Sequence, residues 1–478
     1  METDLDIRID RDTRVSLTKQ ISSAISTAIR AGRLSPGARL PSWHDLAVQL
    51  GVSRGTVRMA YDILCDQQLI TAHGAAGTHV ASHTLATLHK GEHNGYHDGD
   101  HNAERIGDKP LEEVYPGWPV KPGVFQVGVP AQDVFPFKTW SRIMGRAART
   151  AAARQLGYPD PRGELELRSE ISAYLAIARG IDCTPAQVFI TSGFAGALGV
   201  ALRALQMEGK CAWMEEPGFS TTRETLIQSG VTPVPVAVDA EGLDVTSGWT
   251  TAPQAKLAIV TAGQQAPLGV TLSLRRRHAL LDWAERSDSW IIEDDYLGEL
   301  QLQGRAAPAL ASLDRNGRVL HIGTFSKTIA PSLRIGFLVV PNELVARMEN
   351  AVTTYASAPA PSVQLAVAEF MHRGHYLRHL RRMKRVYADR RTTLGVCLGE
   401  LSIPYIEAGL AVLIRLPEGV RDTDIAVQAR TVGLSPSALS WWYAQPKPGY
   451  DGLLLGVTNL PTEHVAGYCK RLTGLWSQ

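Results

Sequence analysis

The run HIGTFSKTIAPSLRIGF (321–337) sets a lysine, Lys327, in a turn crowded with hydroxyls. An apolar strand ends at Gly323, Thr324 and Ser326 precede the lysine, and Arg334 follows it. An amine in such a turn suits an aldehyde cofactor. It can form a Schiff base while the hydroxyls and the guanidinium hold a phosphate dianion. Ser-Lys alone carries little weight, because most lysines are solvated surface charges.

Three other segments complete the set. WIIEDDYLGEL (290–300) is an apolar strand delivering acids to its C-terminal end, where open α/β sheets bind ligands. Asp294 there can pair with a pyridinium nitrogen, and Tyr296 can hydrogen-bond a ring hydroxyl. A purely structural acid is the bland alternative. FITSGFAGAL (189–198) reads strand, Ser192-Gly193, helix, so the N–H groups of Gly193 and Phe194 open a helix and can cradle phosphate. In EEPGF (215–219), Phe219 can stack on a pyridine ring or simply fill core.

The elements that must position these groups follow from periodicity. From about residue 123 onward, helical patterns alternate with short apolar runs: VFIT (188–191), LAIV (257–260), WIIED (290–294), VLHIG (319–323) and GFLVV (336–340). That alternation predicts an α/β domain over 123–478 built on a mixed, mostly parallel sheet with flanking helices.

The first 82 residues read differently. Leu17, Ile21, Ile25 and Ile29 share one helical face. Ser42 with Asp45 resembles a capping box that opens a second helix, in which Leu46, Ala47 and Leu50 face inward. Gly51 turns the chain, and Ser53 caps a third helix beginning at Arg54. This pattern predicts a helix-turn-helix. Arg54, Thr56 and Arg58 lie on the first turns of the third helix, where side chains reach the major groove, and Arg can take both guanine acceptors. Ser53 and Thr56 can bind phosphate. Residues 69–71 and 78–80 predict a two-stranded wing whose Gly-rich tip, ending at Gly77, can approach the minor groove.

Residues 83–122, rich in His, Gly, Asp, Asn and Pro, read as a flexible linker. His89, His93, His97 and His101 recur every fourth position and would share a helical face. Gly91, Gly95 and Gly99 between them oppose that helix, so no metal site is expected.

Composition bounds the rest. The 478 residues are 44% hydrophobic and 20% charged with a net charge of +2, so any nucleic-acid surface must come from local placement of Arg and Lys. No apolar stretch is long enough to predict a membrane span, and the polar start METDLDIRID predicts no secretory signal. Five scattered cysteines without a CxxC pair are expected to be structural thiols in the cytoplasm.

Residues 14–82 resemble the GntR-type winged helix through AIRAGRLSPGARLPS (28–42), LAVQLGVSRGTVRMAYDIL (46–64) and GAAGTHVA (74–81). One departure is His44, where that family usually has an Arg that touches DNA. The segments around 189–198, 215–219, 290–300 and 321–337, in that order, resemble fold-type I aminotransferases. YPDPRGELELR (158–168) and HLRRMKRVYADRR (379–391) extend the likeness to the MocR/GabR branch, in which a GntR-type reader precedes an aminotransferase-like domain. The resemblance implies pyridoxal 5'-phosphate as cofactor and Lys327 as its Schiff-base lysine. Asp294 and Tyr296 would then face the ring, with Phe219 stacked on it. Thr324, Ser326, Arg334 and the 192–194 turn would face the phosphate, and Tyr158 would act across a homodimer interface.

Departures from working aminotransferases shift the expectation toward sensing. Ala266 stands where an Asn would bond the ring hydroxyl, and Gln264 where the branch often has His. Leu454, in GLLLGVTNL (452–460), falls close to where a substrate-carboxylate Arg is expected. The expectation is therefore a regulator that binds paired half-sites in double-stranded DNA and senses pyridoxal phosphate, with target genes in vitamin B6 synthesis, or senses an amine such as GABA or taurine. The alternative is an active transaminase with an accessory reader.

Overall fold

Ile21, Ile25 and Ile29 all turn inward from α1 (Leu17–Arg30), as their spacing predicts. The second helix, α2 (Trp43–Leu50), starts at Ser42, whose hydroxyl accepts the Asp45 N–H at 3.1 Å. It stops at Gly51, which takes φ 61°. In α3 (Arg54–Asp66) the Ser53 hydroxyl accepts the Thr56 N–H at 3.1 Å. β1 (Ile70–Ala72) and β2 (Thr78–Val80) pair antiparallel, with Ile70 opposite Val80. Leu40, Leu46, Val57, Leu64 and Val80 close one core over these elements. Each such buried aliphatic side chain contributes roughly 1.5–3 kcal/mol.

The structure is a computed structural model that describes residues 7, 9–11, 13, 15–30, 33–66, 69–72, 77–81, 122–154, 157–302, 307–355, 358–445 and 449–476. The histidine series 89–101, nearly all of the expected linker and the wing tip 73–76 lie outside these residues. The chain divides into two compact units, Met1–Arg105 and Ile106–Gln478. No helix among the described residues is long and apolar enough to cross a membrane.

The second unit is built on an eight-stranded sheet. Its strands are β3 (Val188–Thr191), β4 (Cys211–Glu216), β5 (Thr232–Asp239), β6 (Gly242–Leu243), β7 (Leu257–Val260), β8 (Trp290–Asp295), β9 (Val319–Thr324) and β10 (Gly336–Val339), in the spatial order 3-10-9-8-7-4-5-6. β5, β4, β7, β8 and β9 are mutually parallel, and β10 runs antiparallel between β9 and β3. All five strands expected from the apolar runs are present. β3, β7 and β10 are buried at every residue, which is why they read as unbroken apolar runs and not as alternation.

Helices cover both faces of this sheet. On one, the helices Phe194–Ala204 and Val345–Tyr355 pack over Phe189, Ile292 and Leu338. On the other, Trp213 stacks on Trp283 with ring centroids 4.0 Å apart, and its indole N–H donates to the Ala252 carbonyl at 3.0 Å.

A smaller antiparallel sheet completes the unit: β11 (Tyr405–Ala408), β12 (Ala411–Arg415), β14 (Gly452–Gly456) and β13 (Ser437–Ala438). It follows a 26-residue helix, His375–Glu400. The stretch 122–133, first in this unit to be described, crosses to that sheet: Phe125 pairs with Gly456, where a Cβ would lie 2.2 Å from the Gln126 carbonyl oxygen.

Candidate functional site

Sheet register brings the sequence motifs together. Gly336, at the start of β10, is opposite Thr191 on one side and Thr324 on the other. The turns after β3 and β9 therefore emerge side by side, with Arg334 between them. Arg334, itself at φ 49°, donates from Nη2 to the Ser192 carbonyl at 3.0 Å. Gly193 takes φ 82° as the N-cap of the helix Phe194–Ala204, and a Cβ there would sit 3.5 Å from the guanidinium carbon. Glycine thus keeps the helix N-terminus and the guanidinium open to one another, an arrangement that favours an anion. The Thr324 hydroxyl donates to Ser326 Oγ at 2.9 Å and accepts the Ser326 N–H at 3.1 Å, which fixes both hydroxyls in the turn before the lysine.

β8 carries three consecutive acids, and strand alternation sends the middle one to the opposite face. Glu293 accepts backbone N–H groups of Leu310 at 2.6 Å and Ala311 at 3.1 Å, and His321 Nδ1 lies 3.0 Å from its Oε2. Burial alone would raise its carboxyl; these bonds outweigh that and hold it low. Asp295 takes Arg179 Nε at 2.6 Å in a fully buried ion pair. Asp294, 7% exposed, has no side-chain hydrogen bond among the described residues.

Burial, reinforced by Asp295, pushes the Asp294 carboxyl well above the usual carboxylate range, against the pull of Lys327. Burial likewise lowers the Lys327 amine, and Asp294 opposes this only in part. Both shifts favour uncharged forms, that is, a nucleophilic amine and an acid that a nearby cation would ionise. The Lys327 amine donates to the Gly128 carbonyl at 2.7 Å. Tyr296, half-buried just past the strand end, has its hydroxyl pushed up by burial.

Phe219 is 37% exposed, with its ring 6.2 Å from Phe194 and 5.9 Å from Trp442. Tyr158 stands fully in solvent in the single chain and is not brought to the other site residues. Ala266 is buried, and its N–H donates to the Thr261 hydroxyl at 3.2 Å. Gln264 is buried against Gly409, and its Oε1 has no hydrogen-bond partner among the described residues. Leu454 is 1% exposed on β14, packed with Ala408, Leu413 and Leu439.

Three participants escaped the sequence reading. Gly128 lies far from any motif. The Trp442 carbonyl accepts the Gly218 N–H at 2.9 Å and so holds the small sheet's segment against EEPGF. Glu215, inside that motif, is buried and bonded to Thr261. A second acid beside the first in EEPGF was the available signal.

In the first unit Ser53, Arg54 and Arg58 are exposed along one side of α3, with Thr56 half-buried. The Ser53 and Thr56 hydroxyls are 2.8 Å apart, so each occupies the other as well as facing solvent. His44 is exposed at the start of α2 beside Trp43. Gly77 takes φ 92°, and a Cβ there would meet Arg39 Nε at 3.0 Å. Arg39, beside β2, is a further basic residue at the wing that periodicity did not single out.

Residues 17–80 match the bacterial regulatory proteins of the gntR family, and residues 130–429 match aminotransferase class I and II. The chain is 34% identical over 451 residues to the probable rhizopine catabolism regulatory protein MocR of Rhizobium meliloti, covering 92% of this chain and 90% of that one. It is 29% identical over 457 residues to the pyridoxine biosynthesis transcriptional regulator PdxR of Corynebacterium glutamicum, covering 93% and 92%. Among solved structures, the second unit is similar to an archaeal alanine:glyoxylate aminotransferase (25% identity, TM-score 0.67, covering 75% of this chain and 91% of that one). It is also similar in fold to the kynurenine aminotransferase of Pyrococcus horikoshii (22% identity, TM-score 0.69, covering 79% and 98%).

Proposed function

Because the chain belongs to the GntR-family transcription regulators of MocR type, in which a helix-turn-helix is joined to an aminotransferase class I and II domain, we propose that it is a DNA-binding sensor of pyridoxal 5'-phosphate. The observation that carries this reading is Asp294. Its two neighbours in β8 are tied into buried networks, whereas Asp294 is buried, has no side-chain hydrogen bond among the described residues and faces the charge of Lys327. A carboxyl so placed is suited to a cationic ring nitrogen.

The residues fit the group. Lys327 would anchor the aldehyde, Asp294 and Tyr296 would face the ring, and Phe219 would cover it. Thr324, Ser326, Arg334 and the N–H groups of Gly193 and Phe194 would hold the phosphate at the open helix N-terminus. When bound, the cofactor supplies an aldehyde that condenses with primary amines and a ring nitrogen that can carry positive charge. Tyr158, fully exposed in one chain, would reach the phosphate of the other protomer in a homodimer. A sensing role is favoured over turnover by the apolar packing of Leu454, which offers no bidentate partner for a substrate carboxylate. The relatives include regulators of rhizopine catabolism and of pyridoxine biosynthesis, and the residues of this chain's own site favour the cofactor itself as effector, with an amine as the second candidate.

In the cytoplasm the dimer would present two readers to paired half-sites, with Arg54 and Arg58 at base edges and Ser53, Thr56, His44 and the wing at Gly77 on the backbone. Two measurements test this. Titration with pyridoxal phosphate should give the visible absorbance of a lysine-bound aldehyde in the wild type and not in Lys327→Ala; the same band in both rejects the lysine assignment. Gel shifts on the chain's own upstream DNA should change with the cofactor. Steady transamination of an amino donor and a keto acid, with no DNA binding, would reverse the reading.

A further inference from the structure

The Lys327 amine holds more than a cofactor site. Residues 122–133 form a strap, the first stretch of the second unit to be described, and they lie close in sequence to the boundary with the first unit at Arg105. Its hydrogen bonds run mainly to the C-terminal part of the fold. The Val124 carbonyl accepts the Ser435 N–H at 2.7 Å, and the Phe125 carbonyl accepts the Gly456 N–H at 2.8 Å. The Val129 carbonyl accepts the Thr458 hydroxyl at 2.6 Å, and the Ala131 N–H donates to the Tyr387 hydroxyl at 2.8 Å. Among the described residues, the one hydrogen bond to the strap from the layer of the eight-stranded sheet is that of Lys327 Nζ to the Gly128 carbonyl, at 2.7 Å. Gly128 takes φ 79°, a left-handed backbone that favours glycine, and a Cβ there would lie 2.9 Å from Nζ, so the amine sits directly against the strap.

We propose that the strap and the cofactor compete for this single nitrogen, so that cofactor capture releases Gly128 and loosens the strap from which the reader's connection departs. The inference rests on the cofactor reading above. The chemistry is a condensation. The lone pair of the neutral amine adds to the aldehyde carbon, and the two amine hydrogens leave with the aldehyde oxygen as water. The C=N nitrogen then carries at most one hydrogen, fixed in the plane of the double bond, where the amine had a rotating set of donors. The Gly128 carbonyl loses its donor, and the strap loses its link to the large sheet. Occupancy of the site thereby becomes a difference in how firmly the exit of the connecting chain is held, which is the differential interaction a sensor needs.

Hydrogen–deuterium exchange of the full-length protein, read on peptides covering 122–133, tests this. Pyridoxal phosphate should speed exchange of the strap about three- to tenfold, the change expected for loss of one hydrogen bond. Pyridoxine 5'-phosphate, which has the same phosphate and ring but an alcohol in place of the aldehyde, should leave the strap unchanged in the wild type. Lys327→Ala should show the fast strap without any cofactor and no further response. Capture seen by absorbance with an unchanged or slowed strap overturns this proposal alone. An absence of capture overturns the cofactor reading and this proposal with it. An equal response to pyridoxine 5'-phosphate also overturns it, because the nitrogen is then not what is contested.

Discussion

The Thr261 hydroxyl donates to one oxygen of the Glu215 carboxylate at 2.5 Å while the Thr261 N–H donates to the other at 3.1 Å. Gln265 adds a longer contact from Nε2 at 3.4 Å. Burial nevertheless outweighs these bonds and pushes the carboxyl from 4.5 up to about 7. The folded chain therefore holds this proton more tightly than the unfolded chain does. The stability so contributed is fully present below the unfolded value and is lost as pH rises through about 7, on the order of 3 kcal/mol for the whole span. Glu215→Gln keeps an acceptor for Thr261 and removes the titration. Thermal unfolding across this window should show the wild type losing stability with rising pH and the variant a flatter profile. Parallel profiles would show that Glu215 is charged throughout.

Arg334 bonds Ser192 at the mouth of the Gly193 turn, so in the proposed site its contribution would be tied to the phosphate and not to the aldehyde. Arg334→Gln should weaken pyridoxal phosphate about 10- to 100-fold, the range for a lost charged hydrogen bond, and leave capture of unphosphorylated pyridoxal nearly unchanged. Absorbance titrations with the two aldehydes separate these outcomes. An equal loss for both would place Arg334 elsewhere in the recognition.

Burial lowers the Lys327 amine below the ordinary lysine value. Its neutral, nucleophilic form is therefore present at lower pH than that of a solvated lysine. The rate of pyridoxal capture plotted against pH should rise with a midpoint below that of an exposed reference amine. Coincident midpoints would mean that the amine is solvated.

Ser53, just before α3, and Arg58 on it should fail in different ways. Ser53→Ala removes the acceptor for the Thr56 N–H and should cost the reader about 1 kcal/mol of stability. Arg58 is exposed, and Arg58→Ala should leave unfolding unchanged while weakening operator binding by about 1–3 kcal/mol. Unfolding curves and gel shifts on both variants check the pair. Loss of stability without loss of binding in Arg58→Ala would remove it from the base-reading surface.

Much of this was legible in the sequence because the determining physics is local. Ser42, Gly51 and Ser53 mark the helix boundaries of the reader by capping and by left-handed backbone, and each does so in the structure. The apolar runs at 188–191, 257–260 and 336–340 announce fully buried strands. The direction of β10 was not legible. A four-residue apolar run reads the same both ways, and its reversal comes from the turn around Arg334 that returns it beside β9. Asp294 was singled out by its motif, but the reason it differs from Glu293 and Asp295 was not legible, because the partners that occupy those two, His321 and Arg179, are 28 and 116 residues away in the chain. Gly128 was invisible for the same reason, 199 residues from the lysine it meets.

The pairing of Phe125 with Gly456 has a further consequence. It sews the first described stretch of the second unit to one of its last strands, so two segments more than three hundred residues apart in the chain share one seam. Shortening the protein from the C-terminus past Gly456 would unpick stretch 122–133 while every strand of the eight-stranded sheet, complete by Val339, stayed in place.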